Sequence, residues 1–196
     1  MANTDKPYGL RPVGTIGNAS YAGKVEKYWV PSGTAGAIFI GDTVKLAATG
    51  VAEALYPTDV IRGEVEIGAQ GSIVCGVCVG IEPYYADLSV NYRKASTGMY
   101  IYVDIDPMTI YSIQGDSGTW TTSNLGLNAN ITVTGGSTAT GRSKTVITTP
   151  TADAAKDTLI LGVDPDPGNE MGVYTKFLVK LNLHQYASGV VRLGID

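Results

Sequence analysis

The sequence predicts an all-β domain, a barrel or a sandwich built from many short strands. Three observations indicate this class: candidate strands follow one another at short intervals, 25 glycines and 9 prolines punctuate the 196 residues, and helix signals are weak. Charged residues make up only 16% of the chain, against roughly 25% in an average soluble domain. Because so few charges solvate the surface, we expect other chains to cover part of it.

Residues 1–23 are predicted to form an extended N-terminal arm in front of a single domain over residues 24–196. The stretch "YGLRPVGTIGNASYAG" has no helical or strand periodicity, and its glycines and proline suppress a helix. It nevertheless carries spaced apolar and aromatic groups. Such a segment suits an arm that orders on docking, or that adds a strand to a neighbour's sheet edge. The alternative is that the arm packs onto its own domain.

The arm also supplies the candidate interface residues. Tyr8, Leu10 and Val13 are the expected apolar anchors, and the guanidinium of Arg11 suits a carboxylate on a partner. The full set of candidates is Tyr8, Leu10, Arg11, Pro12, Val13 and Tyr21.

Candidate strands follow the arm, separated by Gly, Pro, Asn and Asp. The strand at 99–106 ends before Pro107, since proline cannot donate to a ladder. In chain order the candidates are "KVEKYWV" (24–30), "AIFI" (37–40), "TVKLA" (43–47), "GEVEIG" (63–68), "SIVCGVCVGIE" (72–82), "MYIYVDID" (99–106) and "KFLVKLNLH" (176–184).

Two strands alternate clearly enough to predict their faces. The residues expected to face the core are Met99, Ile101, Val103 and Ile105 in one strand, and Phe177, Val179, Leu181 and Leu183 in the other. Those expected to face outward are Tyr100, Tyr102, Asp104 and Asp106, and Lys176, Lys180, Asn182 and His184.

The segment 119–149 is rich in Thr, Gly, Ser and Asn and is predicted to be an insertion. Its β-branched runs "NITVT" and "KTVITT" flank "GGSTATGRS", which favours a β-hairpin over a flexible linker. Helix signals are confined to single turns, at 51–56 and after an N-cap at Thr151 with Asp153 in the first turn.

Composition argues against several function classes. The formal net charge is −4 and no basic run occurs, so we expect no nucleic-acid partner. No apolar stretch approaches the roughly 18 residues of a membrane helix, and "MANTDKPYGL" lacks the pattern of a secretory signal. We therefore expect no membrane partner, and synthesis and folding in a cytoplasm.

No residue pattern indicates catalysis or a resident metal. Cys75 and Cys78 lie within an apolar β-branched run, where positions three apart point to opposite faces, so we interpret them as inert buried thiols. The single histidine, His184, is interpreted as a surface polar residue. The "GDSG" at 115–118 resembles a serine-protease signature, but His184 lies downstream of it rather than upstream.

Two acidic groups leave alternatives open. Asp104 and Asp106 share a strand face at a spacing that suits glycosidase carboxylates, yet nothing else in the sequence supports a sugar groove. The loop "DPDPGNE" places acidic and amide oxygens together, which suits either a divalent ion or an ordinary Asp-Pro turn. Its candidate oxygens belong to Asp164, Asp166, Asn169 and Glu170. We predict no enzyme activity, no metal and no cofactor.

The order of segments along the chain is more informative than any single motif. The chain resembles the cement proteins (also called decoration or head-stabilisation proteins) of tailed double-stranded DNA bacteriophages. The resemblance lies in "YGLRPV", "VEKYWVP", "AIFIGDTVKL", "MYIYVDIDPMTIYSIQ", "GGSTATGRS" and "TPTADAAKDTLILGVDPDPGNEMGVYTKFLVKLNLHQY", in this order and spacing.

This resemblance implies a jelly-roll-like or related β-barrel on the outer surface of an icosahedral head. Such proteins bind the major capsid protein as homodimers or homotrimers at capsomer junctions, and they commonly use an N-terminal arm. They are not enzymes and have no obligatory cofactor. Two alternatives remain: another virion module, such as a head fibre or a host-adsorption protein, and an extracellular carbohydrate-active or calcium-binding β-domain.

Overall fold

The computed structural model describes residues 3–17, 19–47, 63–150 and 156–187, and it is all-β, as the sequence predicts. One 3-10 turn, Thr122–Asn124, is the only helical element within these ranges. The strands are β1 (Arg11–Thr15), β2 (Ala19–Ser20), β3 (Val25–Val30), β4 (Thr43–Leu46), β5 (Val65–Ile67), β6 (Gly76–Ile81), β7 (Met99–Asp104), β8 (Thr109–Gln114), β9 (Asn128–Ala129), β10 (Ile131–Thr132), β11 (Val146–Ile147), β12 (Thr158–Val163) and β13 (Lys176–Leu181).

The strands form two large antiparallel sheets and a small pair. The six-stranded sheet has the order β2-β1-β8-β13-β12-β9, the five-stranded sheet the order β3-β7-β6-β4-β5, and β10 pairs with β11. The edge strands β3 and β5 approach each other, but neither large sheet closes. This architecture is consistent with the predicted jelly-roll-like or barrel class. In the described part of the chain, no helix has the length and apolarity to cross a membrane.

The described residues form two hydrophobic clusters. In the first, Tyr111, Ile113 and Phe177 of the six-stranded sheet pack with other residues that include Val77 of β6, and the second is centred on the five-stranded sheet. The core-facing predictions for the two clearest strands are confirmed for Met99, Ile101, Val103, Phe177, Val179 and Leu181, which are buried, whereas Ile105 and Leu183 at the strand ends are only partly buried.

The outward predictions are wrong for Tyr100, which is buried with its ring 4.8 Å from that of Trp29, and for three polar residues. Asp104 is buried because β8 covers it, and the hydroxyl of Tyr111 donates to its Oδ2 at 3.0 Å. Asp106 is also buried, and its carboxylate lies 2.8 Å from Nζ of Lys24. His184 is buried because β13 ends at Leu181, after which the chain leaves the sheet and forms a bridge with Val74.

The Thr/Gly-rich insertion is a β-hairpin, as predicted. Ile131 pairs with Ile147 and Thr132 with Val146, and a bridge between Gly136 and Ser143 continues the pairing. The single-turn helices expected at 51–56 and after Thr151 lie outside the described residues.

One buried arginine organises the loops at an end of the five-stranded sheet. The guanidinium of Arg93 donates to four backbone carbonyl oxygens, at distances between 2.6 and 2.8 Å. Burial lowers the pKa of Arg93 to about 10. The carbonyls belong to Pro31, Thr34, Gly36 and Thr97, so a single side chain joins two loops.

Candidate interaction surface

The six-stranded sheet turns one face towards its core and the other, here called the outer face, away from it. Because side chains alternate along a strand, Tyr111 and Ile113 enter the core while Ile110, Ser112 and Gln114 lie on the outer face. The outer face is therefore apolar at Ile110 and polar at its other end.

Residues 3–8, here called the N-terminal segment, cover the polar end of the outer face. The side-chain amide of Gln114 donates to the carbonyl of Thr4 at 2.8 Å and accepts from the backbone N–H of Lys6 at 3.1 Å. One side-chain amide thus bonds both a carbonyl and an N–H of the segment's backbone. Asn3 adds bonds to the backbone of Glu170, through both its side-chain nitrogen and its side-chain oxygen. These contacts run through side chains, not through a ladder.

A second polar group fixes the end of this segment. The hydroxyl of Ser112 donates to the buried carboxylate of Asp164, so the hydroxyl of Tyr8 donates to the Ser112 Oγ, at 2.6 Å. The guanidinium of Arg11 lies 3.7 Å from the Asp164 carboxylate and 5.3 Å from the centre of the Tyr8 ring. Burial raises the pKa of Tyr8, which favours its protonated, donating form.

The backbone at residues 8–10 passes very close to the backbone at Gly41, and this close approach is here called the crossing. The N–H of Leu10 donates to the carbonyl of Gly41 at 2.9 Å. A Cβ at Gly9 would lie 2.7 Å from that carbonyl oxygen, and a Cβ at Gly41 would lie 2.8 Å from the carbonyl oxygen of Tyr8. Both glycines have positive φ, +74° and +99°. Glycine is therefore required on both sides of the crossing.

The buried carboxylate of Asp42 joins this crossing to the insertion. It accepts the N–H of Phe39 at 2.8 Å and the hydroxyls of Ser143 and Thr145. Burial raises the pKa of Asp42. The hydrogen bonds offset part of the desolvation cost of this carboxylate, so it ties the loop 39–42 to the insertion.

The other end of the outer face is an open groove of about 620 Å³, here called the outer groove, whose lining is mainly apolar but includes Thr15, Ser20 and Asp164. Val13, Ile16 and Leu161 each expose 41% of their surface in it. Ile110 and Leu178 form its floor. Apolar side chains that project into one groove mark a surface suited to a protein partner.

The structure distributes the six candidate residues of the arm over different environments. Leu10 lies in the core of the six-stranded sheet and is only 1% exposed, so in this conformation it is not available as an anchor. Tyr8 and Arg11 bond within their own chain, as described above. Val13 lines the outer groove, next to half-buried Pro12.

Tyr21 is half-buried beside Asp104. Burial and the Asp104 carboxylate raise the pKa of Tyr21 to about 12. The arm is thus continuous with the fold, because β1 pairs with β8 from Arg11 onward. Residues 11–15, which the sequence assigned to the arm, are therefore a strand of the six-stranded sheet.

The loop 83–90, here called the apolar loop, was missed by the sequence analysis. Tyr85 is 91% exposed and Leu88 is 78% exposed. The available signal was "PYYADLSV", which places three large apolar or aromatic residues inside a turn-forming stretch without periodicity.

The cysteines are buried and free, as expected. Burial raises the pKa of the Cys75 thiol to about 12 and raises that of Cys78 as well. Both thiols therefore stay protonated and unreactive at neutral pH.

The acidic loop after β12 uses its oxygens within the chain. Asp166 pairs with Nζ of Lys176 at 2.8 Å, which lowers the pKa of Asp166. The amide of Asn169 donates to the carbonyl of Asp164 and accepts from the N–H of Lys176. The N–H of Asp166 also donates to Oδ1 of Asp164 at 3.2 Å, which is the pattern of an Asx-type turn. Across the residues that the structure describes, no three His, Cys, Asp or Glu side chains converge on a possible metal position.

Comparisons with protein-family models, with curated proteins and with solved structures gave no match.

Proposed function

We propose that this chain is a structural virion protein that binds the outer surface of an icosahedral phage head and cements capsomer junctions. The observation that carries this proposal is the order and spacing of its segments, which resemble those of phage cement proteins along most of the chain. The proposed partners are the major capsid protein and further copies of the chain itself.

The position of the resembling segments supports the proposal. "YGLRPV", "AIFIGDTVKL" and "GGSTATGRS" lie far apart in sequence, yet they meet at the crossing of Gly9 with Gly41 and at Asp42 with Ser143. A likeness that includes such fold-determining contacts is what two proteins of the same architecture are expected to retain. The low share of charged residues also fits a chain whose surface is partly covered.

The mechanism is thermodynamic. Packaged DNA presses outward, so the seams between capsomers are the weak points of the shell. A protein that binds only the expanded shell stabilises it by mass action. The gain per site is RT ln(1 + [L]/Kd), where [L] is the free concentration of the protein and Kd its dissociation constant. Many copies turn a modest gain at each seam into a large resistance to rupture.

The N-terminal segment is the element best suited to reach a neighbour. It is attached to its own sheet through side-chain bonds of Gln114, Ser112 and Asn3. It can therefore detach without breaking a β-ladder. Once free, an extended segment can add main-chain hydrogen bonds to a sheet edge on an adjacent subunit.

The test compares expanded heads with and without the chain. Heads that lack it are incubated with purified protein, and rupture is followed on heating and on dilution into low salt. We expect bound heads to rupture at a higher temperature. Heads without the chain that resist both treatments equally well would contradict the cement role.

A truncated variant tests the part played by the N-terminal segment. Deletion of residues 1–7 leaves β1, Leu10 and the Gly9–Gly41 crossing in place, whereas a longer deletion would remove core contacts. We expect the truncated chain to fold but to bind heads at least about tenfold more weakly, which is the effect of about 1.4 kcal/mol. Leu125→Asp, at an exposed position outside this segment, is the matched control and should bind normally.

A further inference from the structure

A small pocket between the apolar loop and the strands β3 and β7 is lined mainly by aromatic side chains. Trp29 and Tyr100 are cross-strand partners, both are buried, and their ring centres lie 4.8 Å apart on one side of the pocket. Tyr84 and Tyr85 of the apolar loop line the other side. The pocket has a volume of about 250 Å³, below the usual range for drug-sized ligands. This size suits a ligand of one ring.

The walls of the aromatic pocket are held in place by contacts within the chain. Trp29 packs on the backbone of Gly98, where a Cβ would lie 2.5 Å from its ring. In the apolar loop, the N–H of Asp87 donates to the carbonyl of Tyr84 at 3.0 Å. Oδ1 of Asp87 accepts from both the N–H and the hydroxyl of Ser89. A preformed pocket loses little conformational entropy when a ligand binds.

The pocket also offers a hydrogen-bond donor and an acceptor beside its rings. The indole Nε1 of Trp29 is buried and has no hydrogen-bond partner in the described part of the chain. A buried donor without an acceptor costs free energy, which an acceptor oxygen on a ligand would recover. The half-buried carboxylate of Glu82 accepts from Nζ of Lys27 at 3.1 Å. Because a carboxylate has about four acceptor positions, it can also accept from a ligand.

Two lysines argue against a cationic ligand in this pocket. Nζ of Lys27 lies 4.0 Å from the centre of the Tyr100 ring, and Nζ of Lys94 lies 5.7 Å from the centre of the Tyr84 ring. These rings already attract ammonium groups of the chain itself, and those groups would repel a further cation. A quaternary ammonium group also has no lone pair to accept the N–H of Trp29. The lining therefore favours a neutral ligand that both donates and accepts hydrogen bonds.

The size of the pocket distinguishes between two neutral ligands that aromatic sites bind. A proline-rich peptide docks along an extended aromatic groove, whereas this pocket has room for one ring. A pyranose sugar has an apolar face of C–H groups, which packs on aromatic rings. Its hydroxyl groups donate and accept hydrogen bonds at the edge of the ring. Both properties match the lining.

We propose that the aromatic pocket binds one pyranose ring of a glycan. Tyr85 stacks on the apolar face of the sugar, Glu82 accepts from its hydroxyl groups, and Trp29 donates to one of its oxygens. Glu82 is the one carboxylate among the described lining residues, whereas glycoside hydrolysis uses a pair, so the inference is binding without cleavage. It goes beyond the cement role and does not depend on it, because binding is measured on the purified chain.

The experiment follows the indole N–H signals of the full chain by proton–nitrogen NMR. The chain has two tryptophans, and the indole of Trp120 already donates to the carbonyl of Asp116 at 3.3 Å. Trp29→Phe removes one of the two signals and so assigns them. The probes are the methyl pyranosides of glucose, galactose, mannose and N-acetylglucosamine. Each is added to about 50 mM, because a ligand of so few atoms is expected to bind with a Kd of about 1 mM.

We expect at least one glycoside to move the Trp29 signal and to leave the Trp120 signal in place. Tyr85→Ala removes a ring that is 91% exposed, and it should raise the Kd about tenfold, the effect of about 1.4 kcal/mol. Glu82→Gln should raise the Kd about fivefold, the loss of one hydrogen bond. Leu88→Ala is the matched control, since Leu88 is exposed on the same loop but outside the pocket lining. It should bind like the wild type.

Three outcomes would overturn the inference. A Trp29 signal that no glycoside moves would exclude a sugar from the pocket. A shift with the same Kd in Tyr85→Ala and Glu82→Gln would place the sugar elsewhere on the chain. A shift caused by a polyproline peptide or by tetramethylammonium, but by no glycoside, would assign the pocket to that ligand class instead. An unchanged Trp120 signal shows that each variant is folded, and head binding is measured separately.

Discussion

The two halves of the outer face of the six-stranded sheet differ in their cover: residues 3–8 cover the polar half, and the apolar half is open. At the polar half, Ser112 and Gln114 are buried under residues 3–8, which satisfy their hydrogen bonds. At the apolar half, Ile110 and Leu178 line an open groove. Buried polar groups need partners of fixed geometry, so the chain supplies these itself. Apolar groups need only to lose contact with water, which any complementary surface provides.

The largest expected effect comes from the crossing that brings the N-terminal segment to the polar half. Gly41→Ala places a Cβ 2.8 Å from the carbonyl oxygen of Tyr8 at φ +99°. We expect a loss of about 2–4 kcal/mol in the free energy of unfolding, from clash and backbone strain together, measured by denaturant titration.

Gly17→Ala is the matched control for this substitution. Gly17 has the same φ of +99°, but a Cβ there meets nothing within 4 Å. It should cost only about 1 kcal/mol, the backbone strain alone. Equal losses at Gly41 and Gly17 would mean that the close approach contributes nothing.

An intermediate effect is expected from the side-chain bonds by which Gln114 holds the N-terminal segment on the polar half. Gln114→Glu keeps an acceptor for the N–H of Lys6 but loses the donor to the carbonyls of Thr4 and Tyr174. We expect a loss of about 1–3 kcal/mol, the cost of unsatisfied buried groups, and faster hydrogen exchange at Lys6. Gln70→Glu makes the same charge change at an exposed position and should change neither quantity.

The smallest effect is expected at the apolar half. Leu161→Ala, at a side chain that already contacts water, should change the free energy of unfolding by less than about 0.5 kcal/mol. The same substitution at Leu10, which lies in the core, should cost about 2–5 kcal/mol. Thermal unfolding of both variants tests the difference. A large loss at Leu161 would show that the groove stabilises the isolated chain.

Strand alternation predicted much of the fold but not what covers each strand. It identified the buried faces of β7 and β13 and the hairpin of the insertion, because these depend on local periodicity. It failed at Asp104, which the Tyr111 side chain covers, and at His184, where the strand had already ended. Alternation assigns a side chain to one face of its own strand, and it carries no information about distant segments that pack on that face.

The candidate interaction surface was predictable only in part. That the arm contacts a partner stays a prediction, and of its candidate residues Val13 lines the groove. The burial of Leu10 follows from the meeting of Gly9 with Gly41, two glycines 32 positions apart in the sequence, which no local pattern indicates. The exposure of Tyr85 and Leu88 likewise depends on neighbours that fail to cover them, and this is a property of the assembled fold.

The carbonyl cage around Arg93 gives the protein an internal substitute for a bound ion. In many loop-rich domains a calcium ion gathers backbone oxygens, and removal of the ion by a chelator releases the loops. Here the gathering charge is covalently attached and remains protonated at neutral pH. The shape of the loops at Pro31–Thr34 and Thr97 therefore does not depend on the calcium concentration. It depends on the single side chain of Arg93.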